Sequence, residues 1–191
     1  MLAALAALLL SGTVAGPASA VVPGFKDTIC PEGTQYVLEV GKLRVDDPPE
    51  RIYAAAHAAS KAYATCSGQK LSYGFREAQH YADVRSAQFG VVAARALIAL
   101  GRYDEARTEL QRDRSAAQNV ADWIAETEAF NSADVNGSAV TIAGDRRPSM
   151  YRASAREIVA SADQALAEIA RLTEVPRRQG PQPAPSPTAH P

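Results

Sequence analysis

From residue 49 onward, apolar residues recur at steps of three and four, the spacing that places side chains on one face of an α-helix. Ile52, Ala56, Ala59, Tyr63 and Cys66 form the first such stripe. Asp47 is placed to cap, Pro48 and Pro49 suit a first turn and Gly68 suits a C-terminal stop, so the pattern predicts a helix over 49–67. The next segment, 73–100, carries two stripes. Phe75, Ala78, Ala82, Phe89, Ala93, Ala96 and Leu100 lie on one; His80, Val84, Ala87, Val91, Ala94 and Ile98 lie on the other. A helix apolar on two faces needs neighbours on both sides, so this one is predicted to be central. Gly90 inside it costs about 1 kcal/mol relative to Ala. It marks either close approach of another helix or a break into two shorter ones. A third helix is predicted as far as residue 131, burying Leu110, Ala117, Val120, Ile124 and Phe130, with Trp123 on its flank. The fourth, over 149–173, has the cleanest stripe of all: Tyr151, Ala155, Ile158, Ala162, Ala165, Ile169 and Leu172.

Outside these helices the periodicity lapses. In residues 21–47, the run TQYVLEV, then Gly41-Lys42, then LRV fits a short hairpin or an extended arm lying on the helices. Residues 131–147 read as a long loop whose Asn136-Gly137 pair is a hairpin-type turn signal. Asn136-Gly137-Ser138 also spells a glycosylation sequon, a three-residue pattern of little weight outside a eukaryotic secretory route. The Pro-rich end, 176–191, cannot bury a core and reads as a disordered tail, with spacer and polyproline ligand as rival readings. The expected fold is therefore all-α: a four-helix array or bundle of antiparallel hairpins over 21–175, with a short non-helical N-terminal arm.

The most informative short stretch is ALIALGRYDEA, residues 96–106. Gly101-Arg102-Tyr103 makes a tight corner, and Asp104-Glu105 puts negative charge at the start of the following helix, where the dipole favours it. With Gly101, Tyr103 and Ala106 at the corner, and Ala94, Leu97 and Leu110 at packing positions, this hairpin resembles a tetratricopeptide repeat unit. The likeness covers about 34 residues, and no second copy follows at that spacing. Where the family has a bulky residue early in the first helix, this chain has Gly90. Its small residue late in the second helix is Asp113 here, and its closing proline is Gln118. The resemblance implies that the first helix presents Gln88, Val91, Arg95 and Ile98 on a concave side that binds extended peptides. Their steps of three, four and three independently place them on one face. Arg95 would offer forked donors to a carboxylate or carbonyl. The competing reading buries Val91 and Ile98 under another helix.

Composition narrows the setting. The chain opens with a short apolar run, Leu2 to Leu10, then small residues and Ala18-Ser19-Ala20, the pattern of a cleaved signal peptide over 1–20. No Lys or Arg precedes that run. The rival, an uncleaved anchor, is short of the 20 or so strongly apolar residues that a span requires. Export to the periplasm or the outside follows, and there the lone pair Cys30 and Cys66 reads as one disulfide. It would close a loop of about 37 residues, worth roughly 4 kcal/mol on the chain-entropy estimate. Basic and acidic residues number 20 and 21 and are spread along the chain, which argues against nucleic acid or, after signal cleavage, a membrane as partner.

Candidate chemistry is sparse. Of three histidines, His190 lies in the tail, His57 reads as a surface residue and His80 as a packed one. No close zinc-type pair such as H-x-x-x-H, Gly-x-Ser-x-Gly elbow, phosphate loop or catalytic Cys–His signature occurs, so no metal or cofactor is expected. Asp46-Asp47 and Asp104-Glu105 precede helices, where capping accounts for them. Function is therefore expected to be that of an exported, non-enzymatic helical module binding a protein or peptide. The alternative is a small exported enzyme whose site is assembled from distant segments.

Overall fold

A computed structural model describes residues 26–132 and 148–178, with side chains over 26–125 and 153–174. The expected signal peptide and its cleavage site, the Asn136-Gly137 turn, the sequon, residues 179–191 and the burial of Phe130 and Tyr151 lie outside the described residues. The described chain contains five helices: α1 (Thr34–Gly41), α2 (Pro49–Ser72), α3 (Arg76–Ala99), α4 (Tyr103–Ser132) and α5 (Pro148–Arg178). A single 3-10 turn, Pro31–Gly33, precedes α1. The fold is all-α, as the periodicities predict.

Both tight corners are built the same way. Gly74 and Gly101 take φ of +75° and +73°, the left-handed conformation that glycine adopts without steric cost. At the first, the Phe75 N–H donates to the Lys70 carbonyl and that of Gly74 to Leu71. At the second, Arg102 donates to Leu97 and Gly101 to Ile98. These paired bonds satisfy the carbonyls that a helix end leaves bare, and the chain restarts at once in the opposite direction. ALIALGRYDEA is thus the corner of an α3–α4 hairpin, and QKLSYGF is its counterpart between α2 and α3.

Four features differ from the sequence reading, one being that α5 runs on to Arg178, into the tail expected to begin at 176. Helix α2 runs through Gly68 and stops at Ser72, because Gly74 supplies the left-handed residue there. Phe75 therefore sits outside α3 at the corner instead of opening a buried stripe. The N-terminal arm is neither hairpin nor extended: TQYVLEVG is α1. The run Tyr36, Val37, Val40 takes steps of one and three, and these side chains pack half-buried against the second core described below.

Helix α3 is central, with α2 on one side and α4 and α5 on the others. Two cores share it. The larger unites Val84, Val91, Leu97 and Ile98 of α3 with Leu110, Val120 and Ile124 of α4 and with Ile158, Ala162 and Ile169 of α5. The smaller clamps the arm onto α2 and α3 around Tyr63, Phe89 and the Cys30–Cys66 disulfide. Helix α5 follows its predicted stripe from Ala155 to Ile169, but Leu172 is exposed. No described helix is long and apolar enough to cross a membrane.

Candidate functional site

The predicted face on α3 is occupied by the protein itself. Val91 and Ile98 are 5% and 6% exposed and belong to the larger core together with α5 residues. Arg95 is half-buried and donates to the Ser161 hydroxyl of α5 at 3.2 Å. Of the four, Gln88 alone is exposed, and it accepts a hydrogen bond from Arg85. The apolar part of this face is thus packed into the larger core, and Arg95 reaches across to α5. The buried-stripe reading describes the geometry.

Three polar clusters form that periodicity does not reveal. In the first, the Asp27 carboxylate accepts the hydroxyls of Tyr63 and Tyr81 on one oxygen at 2.5 and 2.6 Å, and the backbone N–H groups of Ile29 and Cys30 on the other. Burial alone would raise the Asp27 carboxyl, but these four hydrogen bonds together hold it below the ordinary carboxylate value. Burial, then the hydrogen bond to Asp27, pushes Tyr63 up to about 12 and raises Tyr81 as well. The Arg85 guanidinium lies over the Tyr63 and Phe89 rings. Neither tyrosine is poised to lose a proton at neutral pH, so this is a latch for the arm.

The second cluster brings together Ser67, Asp83 and His80. Ser67 donates to Asp83 at 2.5 Å, and Nδ1 of His80 lies 3.9 Å from the other Asp83 oxygen. A hydrolytic triad needs the histidine between the hydroxyl and the carboxylate; here the carboxylate is in the middle. Burial lowers the His80 pKa against the pull of Asp83, and its ring packs on Trp123 at 4.3 Å.

The third spans α2 and α4 over α3. His57, stacked on Tyr53, approaches Glu109 at 3.6 Å, while Arg112 pairs with both Glu109 and Asp113 at 2.9 and 2.8 Å. Asp113 is buried against Gly90, and its Oδ2 accepts no hydrogen bond. Burial raises its carboxyl to about 6 although Arg112 opposes the shift. One guanidinium compensates two acids where helices meet, which is a packing arrangement more than a reactive one. Among the described residues, no group of three or more His, Cys, Asp or Glu could hold a metal ion.

What remains is a surface feature, the α2–α3 corner. Leu71, Tyr73 and Phe75 are 57%, 73% and 61% exposed, with the two rings 6.5 Å apart. Val45 and Leu172 are also exposed, but each stands alone in sequence. The signal was present in the chain: large apolar residues at steps of two, around a glycine, fit no helical face. The assignment of Phe75 to a stripe obscured it.

Comparison with models of known protein families, with curated proteins and with solved structures finds no match.

Proposed function

We propose that the chain is an exported, non-enzymatic helical module that works by docking, and that the α2–α3 corner is its point of contact. The observation that carries this reading is the exposure of three large apolar side chains within five residues, on a chain whose other apolar stripes are largely filled. Apolar surface grouped in this way is normally kept for an encounter with another surface. The α3 stripe, where the sequence predicts binding of a protein or peptide, is covered by α5, so the docking reading moves to the corner. The likeness to a tetratricopeptide unit enters only as an analogy of hairpin architecture.

The enzyme reading draws less support. Ser67 and His80 are separated by the acid they share, and the carboxylates beside His57 are both engaged by Arg112.

A photo-crosslinking residue at position 73 tests the docking reading in exporting cells, against the same residue at exposed position 111 on α4. Adducts with another molecule, whether protein or lipid, should form at 73 and be weak or absent at 111. Equal yields at the two positions would remove the corner as a docking point.

A further inference from the structure

The corner has a charge pattern as well as an apolar one. Lys70 and Arg76 bracket Leu71, Tyr73 and Phe75, and neither forms an ion pair among the described residues. Several other cations do: Arg51 pairs with Asp47, Arg102 with Glu105 and Arg114 with Asp163. The nearest acid in sequence, Glu77, lies in the first turn of α3, where it complements the helix dipole. Two cations thus flank the exposed aromatic tip in sequence with no ion-pair partner among the described residues.

Size then bears on what the tip can engage. Fully covered, the three side chains would contribute roughly 350 Å², less than half of the about 800 Å² per partner that a stable protein interface buries. A lipid surface sets no such minimum, since a bilayer interface deforms around a convex projection. Aromatic rings settle at headgroup depth, and flanking Lys or Arg side chains are drawn to anionic headgroups.

Resting on the docking reading above, we propose that the α2–α3 corner seats on an anionic lipid surface. Leu71, Tyr73 and Phe75 enter the interface, and Lys70 and Arg76 contact acidic headgroups. The spread of charge along the whole chain argues against a broad basic face, but peripheral contact needs only these two cations beside an apolar tip. Binding of this kind is weak, reversible and sensitive to salt.

The purified exported chain should co-sediment with phosphatidylcholine vesicles containing phosphatidylglycerol, and much less with phosphatidylcholine alone. The double variant Tyr73→Ser/Phe75→Ser should bind the anionic vesicles about tenfold more weakly. Lys70→Glu/Arg76→Glu should abolish the preference for anionic lipid, and raised salt should mimic that change. All of these side chains except half-buried Lys70 are exposed, so melting temperatures should stay close to that of the parent chain; if the aromatic pair unfolds, the charge-reversal pair carries the test. No binding to anionic vesicles overturns the proposal. So does equal binding by the variants, which would place attachment elsewhere, such as on a retained Leu2–Leu10 segment. Capture of a protein at position 73 without vesicle binding would overturn the lipid assignment while the docking reading stands.

Discussion

Asp113 of α4 occupies the space that a side chain at position 90 of α3 would fill: a β-carbon built on Gly90 would overlap the Asp113 carboxylate. The glycine therefore marks close helix–helix approach, and α3 continues unbroken through it. Glycine on α3 and aspartate on α4 are therefore matched in size across one contact.

Gly90→Ala should consequently destabilise the chain by about 2 kcal/mol through overpacking, despite the better helix propensity of Ala. Combined with Asp113→Ala, it should cost much less than the sum of the single changes. Denaturant unfolding of the four species gives the coupling energy, expected to exceed about 1 kcal/mol. Simple additivity would mean that the helices move apart freely and that the contact is not fixed.

The same carboxyl governs a window of pH. Its folded value, about 6, lies above the ordinary carboxylate value of 3.8, so the folded state holds the proton more tightly. Stability from this group is therefore present at low pH and declines as pH rises from about 4 to 6, by about 3 kcal/mol at most. Asp113→Asn keeps the shape against Gly90 and should flatten the profile in that window, leaving the chain more stable than the parent at neutral pH. A profile unchanged by the substitution would assign the dependence to another group.

Asp27 has the opposite sign. Its depressed carboxyl contributes stability above 3.8, which is lost as pH falls further. Asp27→Ala leaves the Tyr63 and Tyr81 hydroxyls without this acceptor and should cost about 2–4 kcal/mol. Replacing Cys30 and Cys66 by Ser should cost about 4 kcal/mol. Because both fasten the same arm, the disulfide to α2 and Asp27 to α2 and α3, the combined loss should fall short of the sum. Thermal melts of the three variants decide it; full additivity would show that latch and disulfide act on separate parts of the chain.

How legible each feature was depends on the distance over which its cause acts. The helices, their stripes and the GRYDEA corner were readable because Ala94, Leu97 and Leu110 repeat at helical spacing within a few turns. The Cys30–Cys66 pair was readable because two cysteines allow one bond. The Asp27 latch was not, since Asp27 meets Tyr63 and Tyr81 across 36 and 54 residues of chain. Nor could periodicity say whether Val91 and Ile98 faced a groove, because that depended on where α5 returns. The exposure of Leu71 and Tyr73 is hidden for a local reason: Gly68 also fits a helix stop, and the glycine that ends α2 lies six residues further on, at 74.

That ambiguity leads to a test on three glycines. Gly74 and Gly101 hold positive φ at the two corners, whereas Gly68 lies within α2 with open space where a β-carbon would stand. Alanine at 74 or 101 must take a left-handed conformation, at a cost of about 1 kcal/mol or more. Alanine at 68 meets nothing and reduces the freedom of the unfolded chain, so it should stabilise by about 0.5–1 kcal/mol. Gly68→Ala should therefore raise the melting temperature, and Gly74→Ala and Gly101→Ala should each lower it. The Gly101 loss should be the larger of the two, since that corner joins α3 and α4 at the larger core, where Leu97 and Ala106 are fully buried. If Gly68→Ala lowered stability as much as Gly74→Ala, α2 would end near residue 67 after all, and Leu71, Tyr73 and Phe75 would lose the rigid corner on which their docking role depends.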